Sequence, residues 1–237
     1  MEQLTSSDLL VCSGQFDMST EVGSVSPRLL WRIAGSARAP LLVARHPLAP
    51  RADGHVPLAG MKIAVPGKLT SAFLTLQLYD PSFEYVIIPF DKIDAAVQNG
   101  EVDAGLLIHE GQLTYAAEGL QKVVDLGEWW FNRTGGLPLP LGGNVIRRDL
   151  GPAVMTQVST MLHGSIAHAL KHRADAVEYA QTFGRGLNRT DTDTFVGMYV
   201  NQLTLDYGTR GRAGLERFFD EAYRKKLIPA KVAVEFV

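Results

Sequence analysis

Two stretches of this chain carry residue types that can move a proton and hold an anion. In "DAGLLIHEGQLTY", Asp103 to Tyr115, the small and apolar run from Gly105 to Ile108 ends abruptly in His109 and Glu110. An imidazole with an unperturbed pKa of about 6.5 suits general-base work near neutral pH, so a histidine at a pocket mouth is a candidate proton acceptor. In "PGKLTSA", Pro66 to Ala72, a Pro-Gly turn leads into Thr70 and Ser71 and then an apolar run. That order marks a helix start, whose free N–H groups, with nearby hydroxyls, suit a carboxylate or phosphate. Each stretch has a plain structural reading too. A strand-end histidine is often only a hydrogen-bonded structural residue, and a Pro-Gly turn often only caps its helix.

The elements around these stretches explain why they should meet. "LLVAR" reads as a short buried strand and "HPLAPRADGHVPLAG" as a Pro/Gly-rich connector. "MKIAV", "EYVIIPF" and "VDAGLLI" read as three more strands, separated by a helix over "TSAFLTLQLY" and one over "KIDAAVQN". Asp91 is the expected cap of the second helix and Gly100 its terminator. Strand and helix alternating in this way predict a parallel sheet with right-handed crossovers, covered on both faces. Ligands of such sheets bind beyond the carboxyl ends of the strands, where "PGKLTSA" and His109 both emerge.

"GLQKVVDLGEWWFNRTGGLPLPLGGNVIRR" reads as extended chain, and Glu128, Trp129 and Trp130 within it as packing or as an aromatic wall. Helices follow. "GPAVMTQVSTMLHGSIAHALKH" has apolar residues at Val154, Val158, Leu162, Ile166 and Leu170, the i, i+4 spacing of one helix face. "ADAVEYAQTFG" and "TDTFVGMYVNQLTL" come next, the latter with Asp191 or Thr192 as cap. The last helix, "AGLERFFDEAYRKKL", should turn Leu215, Phe218, Phe219 and Ala222 inward. "KVAVEFV" ends the chain as an extended tail.

Composition narrows the function. Hydrophobic residues make up 46% of the 237 and charged residues 20%, with a net charge of -2. That is ordinary globular composition, without the basic excess of a nucleic-acid or membrane binder. The single cysteine, Cys12, allows no internal disulfide and suits a reducing, cytoplasmic setting. The first twenty residues lack a basic start and a sustained apolar core, so no signal peptide is expected, and no window reaches the roughly 20 apolar residues of a membrane span. No dinucleotide fingerprint, P-loop or metal-ligand cluster is present; His163, His168 and His172 lack companion carboxylates.

Four motifs in order, "MKIAVPGKLTSAFLTLQLY", "GEVDAGLLIHEGQLTY", "GLQKVVDLGEWW" and "TGGLPLPLGGNVIRRDLG", resemble those of the 1,4-dihydroxy-6-naphthoate synthases. These enzymes belong to the futalosine route to menaquinone. The resemblance runs from about Ala39 to Val237. It implies an α/β, two-lobed, periplasmic-binding-protein-like (type II) fold with the ligand between lobes. Residues 46–139 would form the small βαβαβ lobe, and residues 1–45 plus 140–237 the large one. "LLVAR" and "LPLPLG" would be the two crossings between lobes.

The implied reaction is cleavage of a carbon–carbon bond in cyclic dehypoxanthine futalosine. His109 would be the general base, and Thr70, Ser71 and Ala72 would hold substrate carboxylate groups. The ring becomes aromatic as the sugar-derived portion leaves, so the resemblance implies no cofactor and no metal. The expected partner is a small carboxylated substrate, with neither nucleic acid nor membrane. The family's Pro-Asn-Asp-Thr and Lys-(Leu/Ile)-Ser motifs do not occur here, and only "LLVCSG" before Ala39 resembles the family. That departure predicts an incomplete large lobe, exposed apolar helix faces and weak or absent turnover. Two alternatives stay open: a non-catalytic binder of small carboxylates, and a chorismate dehydratase of the same pathway and fold.

Overall fold

A computed structural model describes residues 35–36, 40–144, 146, 148–183 and 187–236. The expected "LLVCSG" strand lies outside these residues. In chain order the strands are β1 (Gly35–Ser36), β2 (Leu41–Ala44), β3 (Lys62–Val65), β4 (Glu84–Ile87), β5 (Ala104–Leu107), β6 (Gln121–Asp125) and β7 (Leu139–Pro140). The helices are α1 (Ser71–Tyr79), α2 (Ile93–Gln98), α3 (Gly111–Thr114), α4 (Leu126–Arg133), α5 (Gly151–Lys171), α6 (Arg173–Gln181), α7 (Arg189–Tyr199), α8 (Gln202–Leu205) and α9 (Gly208–Arg224).

Five strands form one sheet in the order β4-β3-β5-β2-β6. β4, β3 and β5 run parallel, as the strand–helix alternation predicts. β2 is antiparallel to both β5 and β6, so the sheet is mixed rather than all parallel. Leu41–Ala44 of the "LLVAR" segment form a fully buried strand inside this sheet, and Arg45 beyond them is exposed. Alternate residues explain why these strands read as unbroken apolar runs. Leu42, Ala44, Ile63, Val65, Ala104 and Leu106 pack under Ala72, Phe73 and Leu76 of α1. Leu41, Val43, Ala64 and Leu107 face the opposite side, against Ile93, Ala96 and Val97 of α2. Two covered faces require apolar residues at every position. β4 departs from this, because it is an edge strand: Tyr85 and Ile87 are 40% and 53% exposed.

A third core joins the outer side of α1 to α4, β7 and α9. Leu74, Leu78, Trp130, Leu139, Leu141, Leu215, Phe218, Phe219 and Ala222 are all buried in it. This core runs across the division drawn at residues 139 and 140. Trp130 lies within it, donating its indole N–H to the Pro138 carbonyl at 3.3 Å. Glu221 of α9, nearly buried, binds Arg133 of α4 at 3.0 Å and Arg217 at 2.6 Å. Burial alone would raise its carboxyl pKa, but the Arg217 and Arg133 guanidiniums outweigh that and hold it below the usual range.

Three helix starts differ from their sequence reading. Pro89 opens a 3₁₀ turn over Phe90–Lys92, so Asp91 lies within helical backbone and caps nothing; α2 has no side-chain cap. Gly100 ends α2 as expected, at φ 74°. Asn188, not Asp191 or Thr192, caps α7 by accepting from the Asp191 N–H, and the apolar run beyond it breaks at Asn201, which caps α8. "DLGEWWFNR" is helical rather than extended, because Asp125 accepts from the Gly127 and Glu128 N–H groups and so starts α4. On α5 only Met155 is buried, and the Val154-to-Leu170 stripe is half-exposed. Among the described residues no helix is long and apolar enough to cross a membrane.

The Pro/Gly connector is pinned at the sheet edge where β3 begins. Tyr79 accepts from the Val56 N–H at 2.8 Å and donates to its carbonyl at 3.1 Å, while the His55 ring stacks on it. Asp80 accepts from Leu58 N–H, Ser82 N–H and His55. Burial raises its pKa, but the bonds from Ser82, Leu58 and His55 outweigh this and hold it at about 2. Because the folded value lies below the ordinary 3.8, the stabilisation is complete above about pH 4 and is lost as pH falls through about 2. Asp80→Asn should therefore destabilise the protein at pH 7 by roughly 1–3 kcal/mol. Urea denaturation should show the difference from wild type shrinking as pH falls toward 2.

Candidate functional site

β4, β3, β5 and β6 all end at one edge of the sheet, and β2 begins there. The turns leaving β3, β4 and β5 carry Pro66–Thr70, Pro89–Phe90 and Ile108–Glu110. β4 and β5 flank β3 and so stand about 10 Å apart, yet the Phe90 and His109 rings approach to 5.6 Å between centroids. The two rings close over the end of β3, the strand that delivers "PGKLTSA". Topology thus brings His109 and the start of α1 to the same rim.

His109 is shielded, with its side chain 12% exposed. Its Nδ1 accepts from the Gly111 N–H at 3.0 Å. The neutral ring so held carries its proton on Nε2. Nε2 is buried and has no hydrogen-bond partner among the described residues. Leaving a buried polar atom unpaired costs roughly 1–3 kcal/mol, so such an atom calls for a functional account. The Glu110 carboxylate lies 3.8 Å from Nδ1. A Cβ at Gly111 would lie 2.8 Å from Cε1 of His109, so any other residue there would require the imidazole to shift. The "HEG" order has a steric reason, since glycine lets the amide reach the ring.

The start of α1 supplies donors of a particular kind. Thr70 is the N-cap, accepting from the Phe73 N–H at 3.1 Å and donating to the Gly67 carbonyl at 2.9 Å. Ser71 donates its hydroxyl proton to the Leu141 carbonyl. Both hydroxyl protons are thus committed within the protein. What remains for an anion is the N–H groups of Ser71 and Ala72, which as N1 and N2 have no acceptor inside the helix. Lys68 stands aside, its ammonium 5.3 Å from the Tyr85 ring centre.

Tyr199 of α7 locks the His109 turn from the other side. Its hydroxyl donates to the Ile108 carbonyl at 2.9 Å and accepts from the Gln112 amide at 3.1 Å. Burial pushes its pKa up to about 12, against the lowering effect of the Gln112 bond, so it stays a neutral donor. One turn past His109, Gln112 and Leu113 line an open cavity of about 650 Å³, shared with Leu41, Asp125 and Met198. This cavity occupies the β2–β6 half of the same edge. His109, Thr70 and Ser71 do not line it.

Sequence reasoning missed Phe90, Tyr199 and Gln112. Phe90 directly follows a strand at the ligand-binding edge, which is a usable signal. Tyr199 lies 91 residues beyond Ile108 and gives none. Trp129 and Trp130 pack against Tyr79 and Phe218 respectively, as core residues rather than a ligand wall. His168 and His172 adjoin, with ring centres 4.3 Å apart. Among the described residues no group of three or more His, Cys, Asp or Glu is placed to hold a metal ion.

A family model described as menaquinone biosynthesis matches residues 33–224. A 1,4-dihydroxy-6-naphthoate synthase of Thermus thermophilus is 41% identical over 193 residues, which cover 81% of this chain and 68% of that protein. A crystal structure of an Archaeoglobus fulgidus protein superposes with a TM-score of 0.81 at 38% identity, covering 93% of this chain and 80% of that one. The ligand-binding component of an ABC-type import system from Staphylococcus aureus, at 10% identity, superposes with a TM-score of 0.65, covering 95% of this chain and 78% of that one, and shows the fold alone. A periplasmic-binding-protein-like fold and a family match spanning most of the sequence lead to one conclusion: the chain belongs to the menaquinone-biosynthesis family that includes the 1,4-dihydroxy-6-naphthoate synthases.

Proposed function

We propose that this protein is a carbon–carbon lyase that forms 1,4-dihydroxy-6-naphthoate from cyclic dehypoxanthine futalosine, with Nε2 of His109 accepting the proton. The observation that carries this reading is the buried, unpartnered Nε2 at the carboxyl edge of the sheet. A polar atom kept from water and offered no partner among the described residues is a fitting contact for a ligand. The kinship to a synthase of that name supports the substrate. The free N–H groups of Ser71 and Ala72 hold a substrate carboxylate, which the positive end of α1 favours. Thr70 serves them from behind, by fixing the helix start. Proton removal leaves an electron pair on the substrate; that pair expels the sugar-derived portion, and the ring becomes aromatic.

The base needs a lone pair on Nε2, whereas the bond from Gly111 holds the ring with its proton there. Turnover therefore requires the other tautomer. A cytoplasmic location fits a biosynthetic step on a small metabolite, and cell fractionation with an antibody to the chain checks it.

The assay is naphthoate formation from cyclic dehypoxanthine futalosine, followed chromatographically, with chorismate as a parallel substrate. Wild-type protein should convert the futalosine, though weakly in keeping with the missing cleft motifs, and leave chorismate intact. His109→Asn should lower kcat by about 100-fold or more. Undiminished turnover by that variant, or elimination of water from chorismate, contradicts the proposal. Gly111→Ala should displace the imidazole, because its Cβ would lie 2.8 Å from Cε1. It should lower kcat by more than tenfold while the thermal midpoint moves by only a few degrees, read by the same assay and by calorimetry.

A further inference from the structure

Nδ1 of His109 has two neighbours of opposite kind. The Gly111 N–H is a donor, 3.0 Å away, and bonds only to an unprotonated Nδ1. The Glu110 carboxylate is an acceptor, 3.8 Å away, and bonds only to a protonated one. The carboxylate stands about 1 Å beyond the length of a charge-assisted hydrogen bond. A small rotation of the ring away from the Gly111 amide toward Glu110 exchanges one partner for the other. Glu110 is able to make that move, because its side chain is 21% exposed and no cap bond ties it to α3.

The remaining surroundings do not compete for Nδ1. Phe90 offers an apolar face. Tyr199 and Gln112 are neutral, and the Tyr199 hydroxyl is spent on the Ile108 carbonyl and the Gln112 amide.

We propose that Glu110 is the positioning residue that selects the working tautomer of His109. In the resting ring Gly111 holds Nδ1 bare and Nε2 carries the proton. The partly exposed Glu110 relays a proton from water to Nδ1; as the ring turns toward Glu110 its Nε2 reaches water and gives up one proton to it, and the Glu110 carboxylate accepts the new Nδ1–H bond. Nε2 then presents its lone pair to the substrate. When it takes the substrate's proton, the C–H electron pair stays on the substrate and the ring becomes an imidazolium paired with Glu110. The ring returns that proton to water before the product leaves, so the product complex again has a neutral imidazole with its proton on Nδ1. Gly111 and Glu110 thus hold the two states of one switch, which accounts for a glycine and a carboxylate side by side after the histidine.

This inference rests on His109 as base, and the test separates the two. Turnover is measured for wild type, Glu110→Ala, Glu110→Gln, Glu110→Asp and His109→Asn. Nitrogen-15 spectra of histidine-labelled wild type and Glu110→Ala are recorded with 1,4-dihydroxy-6-naphthoate bound. Glu110→Ala and Glu110→Gln should lower kcat by about 100-fold with KM changed less than about twofold, and Glu110→Asp should recover part of the loss. The His109 proton should sit on Nδ1 in wild type and on Nε2 in Glu110→Ala. An inactive His109→Asn beside a fully active Glu110→Ala overturns the role of Glu110 and leaves the base intact. A fully active His109→Asn overturns the base, and the spectra still decide whether Glu110 sets the tautomer. The same tautomer in both proteins overturns the switch.

Discussion

The parallel course of β4, β3 and β5 is the constraint on which the site depends. Their carboxyl ends share one edge, so the turn before α1, Phe90 and His109 come to one rim although they lie roughly forty residues apart in the chain at most, and the Phe90 and His109 rings meet there. β2 makes this stable. It enters antiparallel between β5 and β6, contributes residues to both faces, and leaves no open sheet edge beside the strand that bears His109. Two helices cover the faces, and the crevice lies where neither reaches.

At the atomic scale a glycine sets the position of the His109 imidazole. The Gly111 amide against Nδ1 fixes which way the imidazole faces, and a side chain at 111 would push the ring aside. Tyr199 adds a second restraint from α7, by taking the Ile108 carbonyl at the point where β5 gives way to the turn. The α1 start is equally restrained: Thr70 closes its first turn, and Ser71 ties it to Leu141 beyond β7. Rigid support leaves backbone N–H groups, rather than mobile hydroxyls, as the proposed anion donors. Such donors need no reorganisation when charge arrives.

Much of this was legible in the chain. Short apolar runs separated by Pro66-Gly67 and Gly100 disclosed β3, α1, β5 and the end of α2, and the change in direction at His109 disclosed the candidate base. Local signals failed where tertiary contacts decide. The direction of β2 depends on partners sixty and eighty residues away, which no window of sequence contains. α4 had a readable cue in Asp125 and Glu128, an acidic cap followed three residues later by a glutamate, but it lies inside a Gly- and Pro-rich stretch that reads as extended chain. The caps at Asn188 and Asn201 were hidden by neighbouring hydroxyl and acidic residues equally suited to capping. The Thr70 and Ser71 hydroxyls looked available to a ligand because nothing in the sequence reveals Leu141 opposite Ser71. The half-exposed stripe on α5 shows that an apolar period predicts a helix face more reliably than its burial.

The central claim is that one crevice grips a carboxylate at the start of α1 and brings the ring of the same molecule to the His109 imidazole. A crystal structure with 1,4-dihydroxy-6-naphthoate bound tests it most directly. The account predicts the carboxylate on the Ser71 and Ala72 amides and the hydroxyl-bearing part of the ring against Nε2. A product lodged at the β2–β6 end with His109 still sealed beneath Phe90 would contradict it.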